Sequence, residues 1–124
     1  MNMDNLDNLK KNLLNISSNN NIGYSDICYC GIIEELCNYP HNLSLYSNFE
    51  KDTLEIIVNS TVVYMVSCIC KDFSREKVGY TNGDVLLLNR LIKIAKEMNI
   101  KIDTQNFETI NENLKQRGSL LIDL

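Results

Sequence analysis

The chain has 124 residues, 44% of them apolar, a formal net charge of -4 and a pI near 4.9. That length and apolar share suffice for one hydrophobic core, so a single domain over residues 1–124 is expected. The acidic balance argues against direct nucleic-acid binding, which normally uses a basic stripe to release counterions; Lys10 and Lys11 are the only adjacent basic pair.

The first residues, Met1 to Asp7, lack the basic and long apolar regions of a signal peptide. The longest apolar stretch, near Val62 to Ile69, is broken by Ser67 and falls short of the roughly 18 residues of a membrane span. A cytoplasmic, membrane-free protein with reduced cysteines is the expectation. On that reading the Asn-x-Ser/Thr sequons at Asn15, Asn42 and Asn59 carry no meaning. Abundant asparagine, nine lysines to three arginines and no tryptophan resemble the product of AT-rich coding, as in a low-GC bacterium, a phage, a large virus or a protist.

From residue 4 to 17, Leu6, Leu9, Leu13 and Ile16 recur at helical spacing and predict a first helix. The polar run 17–23 breaks it. Ser25 or Asp26 caps a second helix ending near Asn38, before Pro40, with Tyr29, Ile32, Ile33 and Leu36 facing inward. The period then changes to two. Leu43, Leu45, Ser47 and Phe49 alternate with polar residues, and two further β-branched runs, 53–58 and 61–71, flank Asn59-Ser60. Together these predict a three-stranded antiparallel β-meander. Its faces both need cover, one from helices and one from a second subunit, hence a homodimer, or from the end of the chain.

A loop over 72–82 follows, and Asn82-Gly83-Asp84 opens a helix carrying Val85, Leu88, Leu91, Ile92, Ala95 and Met98. Residues 100–102 suit a short edge strand. Asp103 caps a last helix with Phe107, Ile110 and Leu114, ending at Arg117-Gly118, and 119–124 is placed as a short closing strand. The fold class expected is therefore α+β: two helices, the meander, two helices and the closing strand.

Two Cys-x-Cys pairs stand out among the five cysteines. On a strand, Cys68 and Cys70 project from one face about 7 Å apart, and Cys30 and Cys37 share a helical face, so Cys30, Cys37, Cys68 and Cys70 form a conceivable metal set. Their spacing matches no common zinc pattern, however, and free cysteine packs readily as a small hydrophobe. His41 is the only histidine, which removes most general-base and metal schemes. Glu34 and Glu35 diverge by about 100° on a helix and read as a solvated face.

Long loops on rigid scaffolds collect binding residues. The 72–82 loop and the helix after it supply the candidates: Phe73, Arg75, Tyr80, Asn82, Asp84 and Arg90. With no catalytic constellation and no implied cofactor, the function expected is non-enzymatic. The leading form is a small acidic protein that occludes a basic protein partner, of the immunity-protein or phage- or viral-inhibitor type. The alternatives are a module sequestering an anionic small molecule or nucleotide with residues 79–84, Arg75 and Arg90, and a cysteine-thiolate metal domain.

Overall fold

In the computed structural model, which describes residues 8, 11, 12, 31–74 and 78–123, every regular element is helical and no strand occurs among the described residues. In chain order these are α1 (Ile32–Asn38), a 3-10 helix (Pro40–Tyr46), α2 (Lys51–Asp72), α3 (Val78–Glu97) and α4 (Phe107–Arg117). The α+β expectation is overturned, and each strand of the expected meander has a helical explanation.

The segment of the first expected strand begins as the 3-10 helix, with Pro40, Leu43 and Tyr46 buried and Phe49 buried just beyond. These four lie three residues apart, the spacing at which a 3-10 helix brings side chains into line. Leu45, assigned to the buried face of the strand, is 37% exposed. Pro40 suits the first position because an N–H there would have no helical partner. Tyr46 and Phe49 stack at 5.7 Å between ring centroids.

The second and third expected strands, with the Asn59-Ser60 turn between them, are one helix, the 22-residue α2, about 33 Å long at 1.5 Å per residue. Its buried residues, Leu54, Ile57, Val58, Thr61, Val62, Met65, Ile69 and Asp72, recur at one, three and four positions. Polar side chains inside it bond carbonyls four residues back: Asn59 to Glu55 at 2.8 Å, Thr61 to Ile57 at 2.8 Å and Ser67 to Val63 at 3.0 Å. Asn59 thus continues the helix rather than turning the chain. Because α2 packs against both α1 and α3, it is apolar around much of its circumference, and that breadth also satisfies a period of two. By length and composition it is, among the described residues, the one helix apolar enough to cross a membrane, contrary to the run-length argument from sequence.

The second half of the expected 72–82 loop, from residue 78, is also helical. Since α3 starts at Val78, Gly79 to Gly83 are helical, and Asn82-Gly83-Asp84 lies inside the element it was expected to open. Val85, Leu88, Leu91, Ile92 and Ala95 are buried as that stripe predicts, with Met98 half-buried beyond the last turn. Asn99, in left-handed geometry at φ 59, follows α3, and the Ile100 N–H bonds the Ala95 carbonyl at 2.9 Å.

Ile100 and Ile102 pack against the core from an irregular stretch, not an edge strand. Asn59 holds that stretch with both ends of its amide, donating to the Lys101 carbonyl at 2.9 Å and accepting the Asp103 N–H at 2.8 Å. Asp103 in turn accepts the Gln105 N–H at 3.1 Å, capping the turn before α4, whose own N-cap is Asn106. Phe107, Ile110 and Leu114 of α4 are buried, and Gly118 at φ 74 ends it.

Residues 119–123 are not a strand; asparagine side chains of α3 and α4 hold them instead. The expected cap at Ser25 or Asp26 lies outside the described residues, as does Tyr29, while Ile32, Ile33 and Leu36 are buried in α1. The first expected helix also lies outside them, apart from helical Asn8, Lys11 and Asn12.

Candidate functional site

Helices α1, α2 and α3 meet around a cavity of about 240 Å³ lined by Glu34, Cys37, Asn38, Tyr64, Met65, Cys68, Asp84 and Leu87. Each helix contributes residues one turn apart. Glu34, Cys37 and Asn38 share a face of α1, Tyr64 and Cys68 a face of α2, and Asp84 and Leu87 a face of α3, because side chains three or four positions apart are neighbours on a helix. Met65 is buried at the base, Cys37, Cys68, Asp84 and Leu87 are half-buried, and Glu34 and Tyr64 reach solvent. Asn38 donates to the Glu34 carbonyl at 3.0 Å, which ties the last turn of α1 to the rim.

The charged side chains in the lining, Glu34 and Asp84, are both acidic. Burial pushes the Cys37 thiol from 9.0 up to about 12, and the charges of Cys68, Asp84 and Glu34 push the same way. The Cys68 thiol is raised by burial, with Asp84 and Asp72 adding to the shift and Lys71 opposing it. Both thiols therefore stay protonated near neutral pH, which makes them poor nucleophiles, since the thiolate is the reactive form.

The sequence candidates divide among different places. Of Phe73, Arg75, Tyr80, Asn82, Asp84 and Arg90, only Asp84 lines the cavity. Phe73 is half-buried at the end of α2, its carbonyl accepting from Arg117 Nη1 at 3.5 Å. Tyr80 and Arg90 are exposed on α3, and Asn82 is engaged with the backbone at Leu120. Arg75 lies outside the described residues. The anion cradle expected from residues 79–84 has no loop to form it, because those residues are helical.

Of the four cysteines considered for metal, Cys37 and Cys68 do share the cavity, and Cys30 lies outside the described residues. Cys70 is exposed elsewhere: on a helix a two-residue step turns the side chain by about 200°, whereas on the expected strand it would have shared a face with Cys68. No grouping of three or more His, Cys, Asp or Glu side chains able to hold a metal ion occurs among the described residues. His41 is exposed on the 3-10 helix, edge-on to Tyr39 at 6.1 Å between centroids, and does not line the cavity.

Sequence reasoning missed Glu34, Tyr64 and Leu87. The available signal was the Glu34, Cys37, Asn38 spacing on one helical face, which a reading of Glu34-Glu35 as an adjacent pair obscured. Comparison with protein-family models, with curated proteins and with solved structures finds no match for this chain.

Proposed function

We propose that the chain is a small acidic, non-enzymatic binding protein that occludes a partner protein, of the immunity-protein or phage- or viral-inhibitor type, and that the cavity between α1, α2 and α3 receives a basic side chain of that partner. The observation that carries this reading is the convergence of Glu34 and Asp84 on the recess that holds Cys37 and Cys68. A guanidinium or ammonium entering there meets the negative potential of the Glu34 and Asp84 carboxylates, which adds to the effect of burial on Cys37. Its aliphatic stem has Met65, Leu87 and Tyr64 of the lining to lie against. The net charge of -4 adds attraction at longer range toward a basic surface.

An anionic ligand would meet the same potential with the opposite sign. The volume of about 240 Å³ is also below the roughly 300–1,000 Å³ of pockets that enclose small molecules. A single side chain suits it better than a nucleotide.

Titration with arginine amide acetylated at its α-nitrogen, followed by NMR of the Met65 and Leu87 methyl groups, tests this directly, with the equally acetylated citrulline amide as the uncharged counterpart. The expected result is a saturable shift with arginine amide alone, lost in Glu34→Gln/Asp84→Asn. Equal responses to the two amides, or a response that survives the double substitution, would refute the basic-side-chain reading. Affinity capture from the native host should return a stoichiometric protein whose binding the same double substitution weakens.

A further inference from the structure

We propose that the groove between α3 and α4 is a receptor for extended polypeptide, and that the segment now lying in it, residues 119–123, exchanges with the same segment of a second copy of this chain. This is independent of the acidic cavity. Asn82 and Asn89 lie seven positions apart on α3, so they share a face, and Asp84 lies about 200° around the helix from Asn82.

The geometry of the clamp is specific. Asn111 accepts the Ile122 N–H at 2.7 Å and donates to the Ile122 carbonyl at 3.0 Å. Asn89 donates to the Leu121 carbonyl at 3.0 Å and accepts the Asp123 N–H at 2.8 Å. Asn82 accepts the Leu120 N–H at 2.9 Å. One amide reaches both polar groups of a single residue only where they point the same way, as in extended backbone, and residues of even and odd number then face opposite edges. Asn111 and Asn82 thus hold one edge of the segment and Asn89 the other.

Every one of these bonds goes to main chain, and Ile122 is the one side chain of the segment that is buried. Leu120 and Leu121 are about half exposed, as is Leu86, which lies on the same face of α3 between Asn82 and Asn89. These three leucines form an apolar rim that a second copy would cover. The segment is also separable from α4: the Gly118 and Ser119 N–H groups cap that helix by bonding the Lys115 and Leu114 carbonyls at 3.1 and 3.0 Å, so residues 120–123 are not needed to finish it. Gly118, at φ 74, is the pivot. A second copy presents the identical segment to the identical clamp, so exchange keeps every clamp contact and adds only cover for the leucine rim.

Two full-length variants test the exchange, one with a disabled groove, Asn89→Ala/Asn111→Ala, and one with a disabled segment, Ile122→Asp. One is labelled with a fluorescence donor and the other with an acceptor. The expected result is that each alone is a monomer by light scattering, while the equimolar mixture shows energy transfer and a doubled mass, because one intact groove meets one intact segment. A mixture that stays monomeric would overturn the proposal, and so would either variant dimerising alone, which would assign association to the leucine rim. If Ile122→Asp fails to fold, hydrogen exchange of the unmodified protein decides: the Leu120, Ile122 and Asp123 amides are expected to exchange well before core amides of α3. Exchange of both sets in step would show the segment to be a fixed part of the fold and overturn the proposal.

Discussion

Replacing Cys37 with serine should flatten the alkaline limb of the stability curve. Burial first, then Cys68, Asp84 and Glu34, hold the folded Cys37 thiol at about 12 against 9.0 unperturbed. A raised value means that the folded protein keeps a proton which the unfolded chain gives up. The resulting stabilisation is complete below 9.0 and is lost as pH rises through about 12. At about 1.4 kcal/mol per decade, three decades give about 4 kcal/mol; Cys37 is only partly buried, so screening reduces the expected loss to roughly 2 kcal/mol.

Urea unfolding at steps from about pH 8 to about pH 11 reads this loss directly. Cys37→Ser does not titrate there, while Cys68 and Tyr46, whose groups are also raised, stay in both proteins, so the divergence of the two curves isolates Cys37. Glu34→Gln and Asp84→Asn should each narrow the divergence by removing part of the opposing charge. Parallel loss of stability in wild type and Cys37→Ser would refute the raised Cys37 thiol, and a divergence left unchanged by Glu34→Gln and Asp84→Asn would refute the negative charge on which the proposed function rests.

The same substitution at two glycines should act in opposite directions. Gly83→Ala, inside α3 with open space where the new methyl group would sit, should stabilise by about 1 kcal/mol, whereas Gly118→Ala, at φ +74, should cost about 1 kcal/mol through backbone strain alone. Thermal unfolding of both variants checks the pair. Leu88→Ala, which empties a fully buried site, should cost about 3 kcal/mol in urea unfolding, while Leu86→Ala, 46% exposed, should change little. Asn59→Ala removes both bonds to the 101–103 stretch and should lower stability by about 1–2 kcal/mol, with faster exchange of the Asp103 amide as its local signature. Under native conditions a thiol reagent should modify exposed Cys70 well before Cys37, and a reversed order would place Cys37 outside the recess.

Two stretches mark where sequence patterns lost their meaning. Alternation at 43–49 arose because buried positions three apart and an exposed Leu45 happen to interleave with polar residues, a coincidence that only the 3-10 geometry resolves. In α2, β-branched residues at Val58, Thr61 and Val62 carry strand propensity, yet that preference is worth less than burial against two neighbouring helices. The candidate site was half legible. Cys37, Cys68 and Asp84 read as chemistry-bearing residues, but they lie on three different helices, and Glu34, one turn before Cys37 on α1, joins Asp84 only where those helices meet. Of the asparagines, Asn82 is expected in a binding site and Asn59 in a turn, while Asn89 and Asn111 look like solvated filler in a chain rich in polar residues. Asn59, Asn89 and Asn111 in fact serve as paired donors and acceptors for irregular backbone, and Asn82 as an acceptor.

Sequence alone determined the quantities that are local or summed over the chain: the acidic charge, the buried stripe of α3 from Val85 to Ala95, and the stop at Gly118. These depend on the side chains within a turn or two. Tertiary structure decided which of two compatible periods α2 adopts, which cysteines share a recess, and what the asparagines hold, because each depends on surfaces far apart in the chain burying one another.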